Sequence, residues 1–570
     1  MTERVLSEVV ELDIDKCQNT YGVAPCTAAG APGTECTNRF RGCQDVANYV
    51  KGTQIVRFTG KGAPINPALP ALPFITSIDS APTEIDPEEG LAQRASSSVA
   101  MVDAPQSDVD MDPYIRTRPV AAGGTWWTRF FARNLNYVGR TARIKRAFAT
   151  RSSSGAWSFG TYTTERYIID SAKGPDASGA VRLTLKDPLK LTDRAKVPGP
   201  TSGKLLSDVA IGDLVLPLNP GDGVQYTATG YVRLGDEVIR YDGNVGDVLT
   251  LSLSSYRASF GTAAAEHQAD DSVQQCLVYI DQPFSTVIQD LLNRSGIEDA
   301  LIDLVQLVAE DLTWLGAGYR VTACITDPED VADLLMELLQ QSNSVMWWSP
   351  TDQQIKFKVF APQSPSMVSS VALNDEAHLM DGSVALERMD ENRFSLVAIN
   401  FGIRSATANV EEAKNYKLAE IAIDLDAESA NEYNERRPQT LYSRWFSVDN
   451  TLAMRALVRR KVARYRDAPE HIQFKLDPKD GTLTEGDLAD LTTYRIVDET
   501  GAVRTVRVFI TRRDDNGSEV SYSARVTNFD EGYGFIGPAG TADYPANNGY
   551  AVIGDVNGLL SDGTACSKVI

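Results

Sequence analysis

Histidine is almost missing from this 570-residue chain: His267, His378 and His471 are the whole complement. They stand far apart and without H-E-x-x-H spacing, which removes the usual histidine pair of a zinc hydrolase. No apolar run approaches the about 18 residues of a membrane span, so nothing in it is expected to cross a bilayer unaided. Positive charge is also short, with 55 Lys and Arg against 76 Asp and Glu, a net −21. Such a chain lacks the positive footprint for holding nucleic acid over its whole surface. An acidic wall would suit DNA that must pass without sticking, and acidity also serves solubility. The opening residues, Met-Thr-Glu-Arg-Val-Leu-Ser-Glu-Val-Val, show no basic region, apolar stretch or small-residue cleavage site. Folding in a reducing cytoplasm is therefore expected, which argues against disulfides.

Catalytic signatures are absent as well, and the chain is expected not to be an enzyme. Gly60-Lys61-Gly62 has neither the preceding Gly nor the following Ser/Thr of a phosphate-binding loop. Asp108, Asp110 and Asp112 imitate the start of a calcium loop, but Pro113 and Pro119 occupy its Gly and bidentate Glu positions. The pairs Trp126-Trp127 and Trp347-Trp348 read as core rather than as a sugar platform. Of the seven cysteines, Cys276, Cys324 and Cys566 are isolated, the first two reading as small core residues.

The other four cysteines crowd together. Cys17, Cys26, Cys36 and Cys43 are separated by eight, nine and six residues. Gly22, Pro25, Gly30, Pro32, Gly33 and Gly42 lie among them and supply turns, not a helix or strand. A segment so short and so poor in apolar residues cannot bury a core of its own, so a group held by the thiols is expected to order it. No C-x2–4-C pair of the kind that pre-shapes a zinc site is present, nor a common ferredoxin run. Wide spacings suit separate loop tips converging on a larger object, and on spacing alone an iron–sulfur cluster and zinc both stay open.

The run Cys17-Gln-Asn-Thr-Tyr-Gly-Val-Ala-Pro-Cys26, with Glu-Cys36-Thr-Asn and Gly-Cys43-Gln-Asp, resembles the cysteine motif of tail-tip hub proteins of long-tailed, non-contractile bacteriophages. Collinear stretches extend the likeness. Gly124-Thr-Trp-Trp-Thr-Arg-Phe-Phe-Ala-Arg-Asn-Leu-Asn-Tyr-Val-Gly-Arg140 is similar to a stretch of phage hub domains. Gly230-Tyr-Val-Arg-Leu-Gly-Asp-Glu-Val-Ile-Arg-Tyr with Arg257, Gly261 and His267 looks like a small β module of tail proteins. Tyr533-Gly-Phe-Ile-Gly and Gly558-Leu-Leu-Ser-Asp-Gly resemble their C-terminal tail. The resemblance implies a lambda-type tail-tip hub in which the four cysteines bind one [4Fe-4S] cluster, zinc being the alternative. It further implies a homotrimeric ring at the virion tail tip that meets the distal tail protein, the tape-measure protein and the central fibre or receptor-binding proteins, and opens for genome ejection.

The expected fold is α+β, β-rich and multidomain. Residues 1–50 read as the cluster-binding segment, 51–199 as the first part of a β-rich hub domain, and 200–275 as a small β insertion. Residues 276–365 read as the α+β second part, 366–535 as a barrel-like domain, and 536–570 as an extended tail. The flanks 182–191 and 275–280 are expected to belong to one parent domain. Phe284, Val287, Ile288, Leu291 and Leu292 share one helix face; Leu301, Leu304, Val305 and Val308 mark a second helix. A third is expected to open with Asp327 as cap and Pro328 at its first position, burying Val331, Leu334, Leu335 and Leu338. A fourth is predicted over 451–466, capped by Asn450, with Met454, Leu457, Val458, Val462 and Tyr465 buried. Its six cations between Arg455 and Arg466 fit either a solvated face complemented by the chain's own acids or a contact with an adjacent ring subunit.

Overall fold

Val10, Leu12 and Ile14 alternate with Glu11, Asp13 and Asp15, a period that suits a strand with one apolar face. In the computed structural model these residues lie in β1 (Glu3–Cys17). The structure describes residues 3–29, 36–105, 109, 111–117, 123–316, 318–360, 370–515, 519–527, 534–536 and 567–569. It divides into two units. The first takes Met1–Thr83, Arg94–Leu191 and Trp348–Gln354; the second takes Glu84–Gln93, Thr192–Trp347 and Ile355–Ile570.

The first unit is a closed barrel. After β1 come β2 (Lys51–Gly60), β3 (Leu72–Ala81), β4 (Ser96–Val102), β5 (Thr141–Arg151), β6 (Trp157–Phe159), β7 (Thr163–Lys173) and β8 (Ala180–Lys186). Their order is β1-β2-β3-β4-β8-β7-β5-β6, and β1 also pairs with β5, so seven strands close into a barrel and the short β6 stays outside the ring, paired to β5. Helix α1 (Trp126–Arg133) contributes Trp126, Trp127 and Phe130 to the barrel core, beside Phe58 and Phe74. The tryptophan pair is core, as the sequence indicated, but it sits on a helix.

The second unit is mixed. The module within 200–275 has its own core of Leu205, Leu216, Val232, Ile239, Tyr241 and Leu249. Of its two expected flanks, Ala180–Lys186 is a wall strand of the barrel in the first unit, whereas Leu277–Pro283 belongs to the second. Helices α2 (Phe284–Arg294), α3 (Leu304–Glu310) and α4 (Val331–Gln340) follow. Helix α4 starts later than Asp327 predicts. Glu329–Asp330 instead pair with Lys196–Val197, and Asp327 binds Arg233. In α3, Leu307 turns inward, but Val305 and Val308 are exposed.

The C-terminal part holds two sheets. Strand Leu396–Ile403 lies between Tyr416–Ile423 and Pro438–Ser443, packed by α5 (Thr451–Tyr465). A six-stranded sheet includes Glu470–Leu476, Leu488–Val497, Val503–Asp515 and Val520–Val526, all within the 366–535 stretch. Of the expected tail, Gly534–Ile536 pairs with Ser567–Val569, and 537–566 lies outside the described residues. Among the described residues no helix is long and apolar enough to cross a membrane.

Candidate cysteine site

The cysteine segment is a long excursion between two neighbouring strands. Cys17 is the last residue of β1 and lies directly opposite Lys51, the first of β2. The barrel therefore pins both ends of 18–50 side by side. Residues 3–17 are barrel wall and not part of a separate cysteine domain.

All four cysteines are half-buried free thiols. Burial pushes the Cys36 thiol up, the Asn38 amide pulls it down, and the neighbouring Cys17, Cys43 and Cys26 push it up again. Cys36 is thus the thiol that the other three all act on. Two of them already accept amide hydrogen bonds from two residues downstream: Cys36 from Asn38, and Cys43 from Asp45 at 3.4 Å. The Asn38 donor works toward the thiolate, the form that ligates metal, while burial and the other cysteines keep the Cys36 thiol above its ordinary value. Asn38 reaches its position with φ 60°, in the left-handed region that asparagine tolerates best after glycine. Among the described residues no group of three or more His, Cys, Asp or Glu stands placed to hold a metal ion. By donor type alone, four free thiols suit a soft iron–sulfur or zinc group.

Polar side chains tie the loop tips together. Asp45 accepts from the Thr27 amide at 2.6 Å, the Thr27 hydroxyl at 2.9 Å and the Asn48 amide group at 3.1 Å. This joins the turn after Cys26 to the turn after Cys43. Tyr21 donates to Gln44 at 2.7 Å, and its own amide donates to the Tyr114 hydroxyl at 2.9 Å.

One brace comes from far along the chain. Arg39, between Cys36 and Cys43, is buried and donates through Nε to Asn134 Oδ1 at 2.8 Å. Burial and the neighbouring Arg133 pull its pKa down. Asn134 also donates to the Phe130 carbonyl, and Arg133 pairs with the buried Asp112 at 3.1 Å. The Ala132-Arg133-Asn134 stretch and the cysteine motif thus form one structure. Replacing Asn134 with Ala leaves the buried Arg39 Nε without its acceptor, while Nη1 keeps the Asn38 carbonyl, at a cost of about 1–3 kcal/mol. Faster limited proteolysis within 18–50 is the expected readout. Of the apparent calcium loop, Asp112 is committed to Arg133, while Asp108, Asp110 and Pro119 lie outside the described residues.

A second polar cluster escaped the sequence reading. Glu237 is fully buried and clasped by Arg257 through Nε at 2.7 Å and Nη2 at 2.8 Å. His267 Nε2 stands 2.9 Å away, and the amides of Ala258 and Ala265 donate at 3.0 and 3.1 Å. The remaining Arg257 donors reach the carbonyls of Ala210, Ile211 and Ala265. Every strong donor and acceptor is used inside the module, so the cluster is a clamp with nothing turned outward. Glu237, Arg257 and His267 all fall in the stretch that looks like a small β module, and that shared membership is the one signal the sequence held for the cluster.

No family model matches the sequence, and no curated protein matches it. Solved structures share parts of its outline. A chain in the virion of a native gene transfer agent particle is 15% identical, with TM-score 0.29, over 43% of this chain and 47% of that one. This chain thus spans about half the length of that relative. The 43 kDa tail protein of prophage MuSo2 from Shewanella oneidensis is 10% identical, with TM-score 0.32, over 79% of this chain and 97% of that one. A tail protein from Neisseria meningitidis MC58 is 11% identical, with TM-score 0.32, over 68% and 89%. At TM-scores of this size the likeness decides nothing about function, which has to come from the chain's own residues.

Proposed function

We propose that this chain is a structural hub subunit at the tail tip of a long, non-contractile-tailed bacteriophage, with Cys17, Cys26, Cys36 and Cys43 holding one [4Fe-4S] cluster. The observation that carries the proposal is the strand-pinned loop, braced by Arg39 and Asn134, that bears all four free thiols. The cysteine spacing and the collinear hub-like stretches support the same reading. A cluster held by four thiolates supplies folding stability, since the complete ligand set exists only in the folded chain. The protein's own residues do the rest: Asp45 joins two loop tips, the Asn38 and Asp45 amides donate to two of the sulphurs, and the barrel fixes both loop ends.

In this reading the chain works mechanically. Copies form a homotrimeric ring that meets the distal tail protein, the tape-measure protein and the central fibre or receptor-binding proteins. Receptor engagement shifts the ring from a closed to an open state that passes DNA. The test is a visible spectrum with iron and sulfide analysis on anaerobically prepared protein. The expected result is brown protein with a broad band near about 400 nm, bleached by Ala at any of the four cysteines, and these variants should be cleaved faster within 18–50. Colourless protein carrying zinc would replace the cluster with a zinc staple. Metal-free protein with an equally protected loop would overturn both.

A further inference from the structure

Arg133, the last residue of α1, and Asn134, its C-cap, stand side by side but serve different parts of the cysteine loop. The Asn134 branch runs through Arg39, whose Nε donates to Asn134 and whose Nη1 donates to the Asn38 carbonyl at 3.0 Å. The same carbonyl accepts the Cys17 amide, also at 3.0 Å. Asn38 and Arg39 lie between Cys36 and Cys43, so this branch fixes the backbone around three of the four cysteines.

The Arg133 branch takes another route. Arg133 pairs with Asp112, a fully buried carboxylate whose Oδ1 also accepts the Tyr114 amide at 3.1 Å. Met111, one residue earlier, is buried in the barrel core and anchors the segment. The Tyr114 hydroxyl accepts the Tyr21 amide at 2.9 Å, and the two rings meet edge to face, centroids 6.1 Å apart. Tyr21 and Gly22, the latter with φ 68°, form the middle of a turn that the Val23 amide closes on the Thr20 carbonyl. A second turn, closed by the Cys26 amide on the Val23 carbonyl, ends at the fourth cysteine.

We infer that the end of α1 is a two-branched brace for the cysteine loop. Arg133, Asp112 and Tyr114 are positioning residues for Cys26, and Asn134 with Arg39 for Cys17, Cys36 and Cys43. Both branches start from adjacent residues on one helix end, so the fold itself sets how far Cys26 stands from the other three. Bonds from Tyr21 to Gln44 and from Thr27 to Asp45 tie the branches near their tips, which makes the loss of either branch partial. The effect on a bound metal rests on the cluster reading above; the brace does not.

Thiol alkylation of the full-length chain, freed of metal by a chelator under reducing conditions, tests the brace when each cysteine is followed by peptide mass spectrometry. Tyr114→Phe keeps the ring contact and removes one hydrogen bond, so Cys26 should react about two- to tenfold faster. Cys17, Cys36 and Cys43 should stay within about twofold of wild type in that variant. Asn134→Ala should reverse the pattern. Asp112→Asn should repeat the Tyr114→Phe pattern; if it lowers the melting temperature, Tyr114→Phe decides alone. The same acceleration of all four thiols in both variants, or none at Cys26 in Tyr114→Phe, overturns the two branches. Cobalt(II) titrated back supplies the metal readout: uptake, followed by its thiolate absorption, should be about tenfold weaker in Tyr114→Phe with melting unchanged. Wild type that takes up neither cobalt nor, on anaerobic reconstitution, iron and sulfide overturns the metal reading and leaves the labelling ratios to decide the brace.

Discussion

Replacing Glu237 with Gln is expected to destabilise the 200–275 module by about 3–5 kcal/mol, the usual cost of leaving one buried charge without its partner. The amide keeps the shape but removes the charge that answers Arg257, whose guanidinium is only 4% exposed. One of its two oxygens also becomes a donor, facing Arg257 or His267 donors at 2.7 to 2.9 Å. The same clamp sets a pH dependence. Burial alone raises the Glu237 pKa, but Arg257, His267 and two amides outweigh it and hold it at about 2, below the ordinary 4.5. A depressed carboxylate pKa stabilises the fold above the unfolded value and loses that stability as pH falls through the folded one. The Glu237 contribution, about 3 kcal/mol, is therefore complete above about pH 5 and fades down to about pH 2. Hydrogen exchange within 200–275, followed from pH 7 to 3, should show protection falling in wild type and already reduced in Glu237→Gln. Equal protection in both proteins at pH 7 would reduce the cluster to a neutral contact.

What the sequence shows well is what local pattern determines. The apolar stripes of α2 and α5 repeat at the period of their own structure, and both helices lie close to where that period puts them. The cysteine crowding is equally local. Partners far apart in sequence are what it hides. β1 reads as a preface to the cysteines because its neighbour β5 begins 141 residues into the chain. Arg39 gives no sign of Asn134, 95 residues away. Pro328 looks like a helix start, but Glu329–Asp330 gain strand pairing with Lys196–Val197, and that long-range ladder delays α4. Asn450 stands at the N-cap of α5, yet its amide group serves the Gly318 and Arg320 carbonyls instead of the helix. Val305 and Val308 follow helical spacing as predicted, and spacing alone does not say whether a neighbour covers them.

The basic helix yields the sharpest contrast between two adjacent residues, and charge reversal should separate them cleanly. Most of its cations are used within the fold. Arg455 binds Glu420 at 3.0 Å, Arg466 binds Asp424 at 3.3 Å, and Arg464 stacks 3.8 Å from the Phe360 ring centre. Lys461 is buried, which lowers its pKa to about 8. Arg460 is 9% exposed and donates to the Trp314 carbonyl at 2.9 Å. Arg459 beside it lies at an exposed position, so reversing both residues to Glu, as a test of a subunit contact would, alters one buried and one solvated charge. Arg460→Glu puts a carboxylate against a carbonyl oxygen in a buried site, and a loss of about 3–5 kcal/mol is expected. Arg459→Glu changes only a solvated charge, and its effect should stay within about 0.5 kcal/mol. Denaturant titrations check both: a midpoint far lower for Arg460→Glu at unchanged slope, and one barely moved for Arg459→Glu. The double reversal therefore tests folding before it tests assembly. Should both single variants keep wild-type stability and yet fail to assemble, the helix would be a subunit contact after all, and the internal ion pairs would be incidental to it.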